Sequence, residues 1–190
     1  MIGGTRKLLF GRKKSLEAFE SEAMPHLGDL QRAATSLLGD RAHADDVMQE
    51  VYLRAWKSFH SYQAGTNCKA WLFRIMFNCI HDHRRRWMNL NMVAAEEETL
   101  ERKLTYSPPI PDKLTDKEVL RSIEELPINY KAVVILADVE EMSYKETAEI
   151  LGVPMGTVMS RLSRGRKLLR TSLAGVASDY GIGTAKGGQS

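Results

Sequence analysis

The feature that most constrains this chain is the break at Gly152-Val153-Pro154, with a helix-forming pattern on either side of it. Upstream, Ser143 is followed three positions later by Glu146, an arrangement in which each side chain satisfies an orphan backbone donor at a helix start. Ala148, Ile150 and Leu151 make one side of that helix apolar. The Gly-Val-Pro step stops it, and Met155 to Leu169 supplies a second helix. Two helices separated by so short a turn have the spacing of a helix-turn-helix.

The second helix divides cleanly on a helical wheel. Val158, Leu162, Gly165 and Leu169 fall in a narrow sector and are expected to pack against their domain. The remaining circumference presents Thr157, Met159, Ser160, Ser163, Arg164, Arg166, Lys167 and Arg170. From Met155 to Arg170 there are five Lys or Arg residues and no acid. Such a helix can lie in the DNA major groove, where arginine makes bidentate contacts to guanine and other cations neutralise phosphates. Arg161, at the edge of the wheel, suits a phosphate or structural contact better than base reading. A merely solvated basic face carries the same pattern, and spacing does not reveal a docking angle.

The rest of the chain organises around that unit. With 190 residues, 43% of them hydrophobic, two small helical domains fit better than one of medium size. Leu16, Phe19, Met24, Leu27, Leu30, Ala34, Leu37 and Leu38 recur mostly at three and four, with Pro25 placed to start a second helix. Ala44, Val47, Val51 and Ala55 form a buried stripe, and Asp46, Gln49, Glu50 and Leu53 share the opposite side. Phe59 to Thr66 reads as a loop with Gly65 at a turn, and Asn67 as the cap of a helix carrying Leu72, Ile75, Met76, Cys79 and Ile80. Pro108, Pro109 and Pro111 disfavour a continuous helix. The expected layout is therefore all-α: a basic extension at 1–15, a first domain at 16–87, a flexible linker at 88–115, the helix-turn-helix domain at 116–175 and a flexible tail at 176–190. Pro127 separates the second domain's opening helix from an apolar one through Tyr130 to Ala137.

The formal charge of +3 is too small to diagnose nucleic-acid binding, but its distribution is uneven. Residues 1–14 hold five Lys or Arg and no acid, whereas 112–149 is rich in carboxylates. No segment has the apolar length of a membrane span, and the N-terminus lacks the apolar stretch of a signal peptide, so no direct membrane insertion and a cytoplasmic location are expected. Cys68 and Cys79 have neither CxxC spacing nor a cysteine-rich framework and read as packed thiols.

The first domain offers two surfaces. Asp45, Asp46, Gln49 and Glu50 surround Val47, Val51 and Leu53, and an apolar centre with polar edges suits protein docking, although a solvated helix face looks alike. Further on, Trp56, Phe59, His60, Tyr62, Trp71 and Trp87 are interleaved with Lys57, Lys69, Arg74 and Arg84 to Arg86. Aromatics can hold an unstacked base while cations track a single strand. Several of these rings must instead be core. Asp82 can pair locally with Arg85 or Arg86 and orient that basic end.

Three separated anchors then carry a resemblance: Asp45-Asp46-Val47-Met48-Gln49-Glu50-Val51-Tyr52-Leu53-Arg54-Ala55-Trp56, Gly65-Thr66-Asn67-Cys68-Lys69-Ala70-Trp71-Leu72-Phe73-Arg74-Ile75, and Ser143-Tyr144-Lys145-Glu146 through Gly156-Thr157-Val158-Met159-Ser160-Arg161-Leu162. In this order they resemble the extracytoplasmic-function (ECF) sigma factors of the sigma-70 family. The resemblance implies an alternative sigma factor that binds core RNA polymerase and promoter DNA, serves stress-response genes and performs no catalysis of its own. It places core-polymerase binding at Asp45, Asp46, Gln49, Glu50 and Leu53. Minus-ten DNA falls to Phe59, His60, Tyr62, Asn67, Lys69, Trp71, Arg74 and Asn78. The minus-thirty-five element falls to Thr157, Met159, Ser160, Arg161, Ser163, Arg164 and Lys167. Within the family, Gly156 to Arg166 resembles the branch that controls thiol-oxidative stress, where Met commonly stands at the position of Met159. Members of that branch are often held inactive by a small zinc-binding, redox-sensitive anti-sigma factor. The metal would belong to that partner, because this chain has no credible zinc quartet and implies no cofactor.

Other classes stay open at this level. A conventional helix-turn-helix regulator would footprint its operator without polymerase, and the first domain could be a protein-interaction module. A nucleic-acid enzyme is disfavoured by the lack of an HxE plus PCxxC pattern, a Walker loop or a paired-carboxylate metal motif.

Overall fold

The computed structural model describes residues 16–87 and 115–179, and every regular element among them is helical. The chain divides into two compact units, Met1–Trp87 and Met88–Ser190. The all-α, two-domain fold class expected from the sequence is the one observed. The basic extension at 1–15, nearly all of the linker and the end of the tail lie outside the described residues.

Unit 1 holds α1 (residues 16–23), α2 (Leu27–Leu38), α3 (Arg41–Ser58) and α4 (Cys68–Trp87). Pro25 lies in the first turn of a 3-10 segment, Met24–His26, that separates α1 from α2. Gly39, at φ 71°, closes α2 by donating its N–H to the Thr35 carbonyl at 2.8 Å. Asp40 starts α3 at once, its carboxylate accepting the His43 backbone N–H at 2.9 Å. With stop and start adjacent, α2 and α3 fold back on one another and both pack on α4. The α3 stripe expected from spacing, Ala44, Val47, Val51 and Ala55, is buried, as are Leu30, Ala34 and Leu37 on α2 and Leu72, Phe73 and Met76 on α4. Asn67 caps α4 as expected, accepting the Ala70 N–H at 3.0 Å.

Unit 2 holds α5 (Asp116–Glu124), α6 (Ile128–Val134), a π-helical segment (Ile135–Val139), α7 (Tyr144–Leu151) and α8 (Met155–Asp179). A capping box of Thr115 and Glu118 starts α5, with the Thr115 N–H donating to Glu118 at 2.7 Å. The Ser143–Glu146 box at α7 is present in both directions, at 3.2 and 3.0 Å. Gly152 ends α7 at φ 65°. In the π segment the Glu140 N–H reaches the Ile135 carbonyl, five residues back, at 2.9 Å.

Where the spacing predicts a helix over 155–169, α8 runs on to Asp179. Leu173 is buried, and Ser172 Oγ donates to Ser122 Oγ on α5 at 3.1 Å, so these last turns gain a partner that a wheel of α8 alone does not reveal. No helix of the described residues is long and apolar enough to cross a membrane.

Candidate nucleic-acid and protein interfaces

The orientation of α8 follows from its buried side. Val158 and Leu162 are fully buried. Gly165 faces α6 so closely that a Cβ there would lie 3.0 Å from Val134 Cγ2 and 3.4 Å from Tyr130 Cβ. Met159, Ser160, Ser163 and Arg164 are therefore exposed, and Thr157, Arg161 and Lys167 are half-buried along the flanks. Ser160 Oγ donates to the Thr157 carbonyl at 3.0 Å. This is a basic and hydroxyl-bearing face on a rigid helix, preceded by a capped helix and a tight turn, which is the geometry of major-groove readout.

Arg166 is exposed, as the wheel puts it, but it is also paired. Its Nε donates to Asp138 Oδ2 at 3.1 Å and its Nη2 to Asp138 Oδ1 at 2.6 Å. Asp138 raises the guanidinium pKa further above its ordinary value. The partner stands 28 residues upstream in the π segment, beyond the reach of local spacing.

In unit 1, Asp46 and Gln49 are exposed on α3, and Asp45 accepts from Gln31 Nε2 at 2.8 Å. Glu50 accepts from Arg54 Nε at 2.6 Å, and Arg54 Nη1 donates to Asp82 on α4 at 3.0 Å. Besides the cations that local spacing offers, the fold brings Asp82 Arg54 from the neighbouring helix. Arg54 thus belongs to this surface although sequence reasoning assigns it no role. Val47 and Val51, expected at the apolar centre of this surface, are buried in the core, and the exposed apolar residues beside its polar groups are Leu53 and Trp56, at 47% and 38%.

The loop after α3 is built on an aromatic cluster. Phe59 begins a short 3-10 turn, Phe59–Ser61, and its ring meets Phe19 edge-on at 5.2 Å and stacks on Tyr62 at 5.6 Å. Tyr62 also lies 5.1 Å from Trp71, and its hydroxyl donates to the Thr66 carbonyl at 2.8 Å. Phe59, Tyr62 and Trp71 are each half-buried, so one side of each ring serves packing. His60 is exposed, its Nδ1 3.0 Å from the Lys57 carbonyl. Lys69 pairs with Asp29 at 3.2 Å and helps hold α4 on α2. Trp71, Arg74 and Asn78 follow at three and four along α4, with Arg74 and Asn78 exposed. Gly65, at φ 85°, turns the chain between the ring cluster and the Asn67 cap.

Both cysteines are buried free thiols, and burial pushes the Cys68 pKa up, away from the thiolate that reacts with oxidants. Among the described residues no group of three His, Cys, Asp or Glu side chains could hold a metal ion.

Comparison with known proteins matches residues 23–88 to sigma-70 region 2 and residues 116–169 to sigma-70 region 4. The chain is 30% identical over 167 residues to the ECF RNA polymerase sigma factor EcfG of Rhodopseudomonas palustris, covering 87% of this chain and 91% of that one. It is 32% identical over 174 residues to the ECF RNA polymerase sigma factor SigE of Mycolicibacterium smegmatis, covering 89% of this chain and 66% of that relative's length. Among solved structures it is similar to the sigma factor RpoE of Bartonella quintana, determined in complex with the anti-sigma factor NepR. That match has a TM-score of 0.64 and 25% identity, and covers 83% of this chain and 98% of the other.

Proposed function

The chain belongs to the ECF RNA polymerase sigma factors, and on that premise we propose how its two units divide the work of promoter recognition. It acts as an alternative sigma factor, binding core RNA polymerase and directing initiation at stress-response promoters, with the phosphodiester chemistry left to polymerase. The observation that carries the division of labour is the sidedness of α8. Val158, Leu162 and Gly165 are spent on packing, and Thr157, Met159, Ser160, Ser163, Arg164 and Lys167 are assigned to the minus-thirty-five element, with Arg161 on the flank toward phosphate.

In unit 1, the polymerase takes the α3 surface of Asp45, Asp46, Gln49, Glu50 and Leu53. The minus-ten element takes the loop and the exposed side of α4. There His60 and the open sides of Phe59 and Tyr62 are stacking platforms, while Asn67, Lys69, Trp71, Arg74 and Asn78 line the approach. The experiment is transcription by holoenzyme reconstituted from this chain, with substitutions on each surface scored separately for core affinity, melting and upstream base preference.

Control is assigned to an anti-sigma factor of the zinc-binding, thiol-sensing kind. The support is the likeness of Gly156 to Arg166 to that branch of the family, together with burial of both cysteines here, which leaves redox sensing to the partner. Cytoplasmic action follows from the location of polymerase and chromosome. The test adds such an anti-sigma factor to the transcription reaction with and without a thiol oxidant. A Cys68→Ser/Cys79→Ala form of this chain should still be inhibited and still be released by oxidation.

A further inference from the structure

We propose that Asp138 and Arg166 act as positioning residues, forming a clamp that fixes the rotation of α8 so that its reading face meets the upstream promoter element in one register. The proposal rests on the reading of α8 given above and adds residues to which that reading gives no role. Two observations on the same stretch of helix carry it. Gly165 brings α8 against α6, where a Cβ would stand 3.0 Å from Val134, so the depth of packing is set at this point. At the next residue Arg166 makes two hydrogen bonds to one carboxylate, at 2.6 and 3.1 Å, and a two-point contact resists rotation where a single one would not. Asp138 is presented by the π-helical segment Ile135–Val139, and Tyr144, the first residue of α7, also interacts with the guanidinium. The clamp therefore ties the second helix of the motif to the end of the preceding helix and to the start of the first. It also occupies Arg166 with a carboxylate, while Arg164 is exposed and Lys167 half-buried on the flank.

The test uses the full chain assembled with core polymerase and a promoter library randomised through the upstream element. Asp138→Ala and Arg166→Ala should each flatten the base preference about fivefold, and the double substitution should do no worse than either alone, as expected of residues acting as one unit. The salt dependence of promoter binding should not change, because neither residue neutralises phosphate. Asp138→Asn and Arg166→Lys, which preserve size, should fall between wild type and the alanine forms. Helicity and core affinity are measured for every variant. If Asp138→Ala instead tightens binding to all sequences with a steeper salt dependence, Arg166 is a phosphate ligand held in check and the clamp is wrong. Additive losses would also overturn it. Arg164→Ala and Ser160→Ala serve as controls on the face itself: if they shift the preference and the clamp variants do not, the clamp alone fails, and if none does, the reading of α8 fails with it.

Discussion

The guanidinium of Arg54 on α3 reaches the carboxylate of Asp82 on α4 at 3.0 Å, and it does so while its Nε holds Glu50 at 2.6 Å. One cation thus joins the two helices that form the body of unit 1 and fixes an acid on the surface assigned to polymerase.

The groups are each about a third exposed or more, so solvent screening limits what this triad contributes to stability. Arg54→Ala is expected to cost unit 1 about 0.5–1 kcal/mol in urea unfolding. Because Glu50 also loses the partner that orders it, core affinity should fall further than that stability change explains. A variant that loses stability alone would show that the triad is structural and leave Glu50 unassisted.

Asp46→Lys with Glu50→Lys is the sharper test of the same surface. The double charge reversal should weaken core association by tenfold or more, about 1.4 kcal/mol or above. The circular dichroism of the folded chain should be unchanged. Equal affinity of folded wild type and variant would move the polymerase contact elsewhere.

Minus-ten capture should depend on residues 59–67. His60→Ala is expected to lower the permanganate reactivity of melted promoter DNA, since a good stacking platform contributes about 1–3 kcal/mol per base. A Gly-Ser replacement of the segment should lower it further, and core binding should persist in both. Unchanged melting would take the loop out of the mechanism.

Tyr52 gives a prediction about pH. Its hydroxyl is buried and meets no hydrogen-bond partner among the described residues, and burial pushes its pKa up to about 12. The unfolded chain ionises near 10, so the stabilising difference is fully present below that and is lost as pH rises from about 10 through 12. Tyr52→Phe removes an unsatisfied polar atom and should stabilise unit 1 by about 1 kcal/mol at neutral pH. It should also blunt the alkaline loss, which thermal melts between these pH values would record. Destabilisation by this change would mean the hydroxyl has a partner after all.

Much of the fold was legible because it is local. The α3 stripe, the Asn67 cap, the Ser143–Glu146 box and the Gly152 stop are all decided by residues within four positions of one another. What escaped was decided at a distance. Arg166 and Asp138 are 28 residues apart, as are Arg54 and Asp82, and no wheel places such pairs together. The extension of α8 to Asp179 escaped for the same reason, since Ser122 on α5 supplies part of its support. Of the candidate site, the outward side of α8 could be read from periodicity. The packed sides of Phe59, Tyr62 and Trp71 needed the cluster itself to become visible.

Run-off transcription shows whether this chain confers promoter selectivity on polymerase. Core polymerase is supplied with the purified chain and a genomic promoter pool, and start sites are mapped. Initiation is expected at a defined set of sites that share upstream and minus-ten elements, lost with Asp46→Lys/Glu50→Lys and redistributed with Arg164→Ala. DNA binding by the chain alone, with no new start sites when core polymerase is present, would contradict it and identify a conventional helix-turn-helix regulator instead.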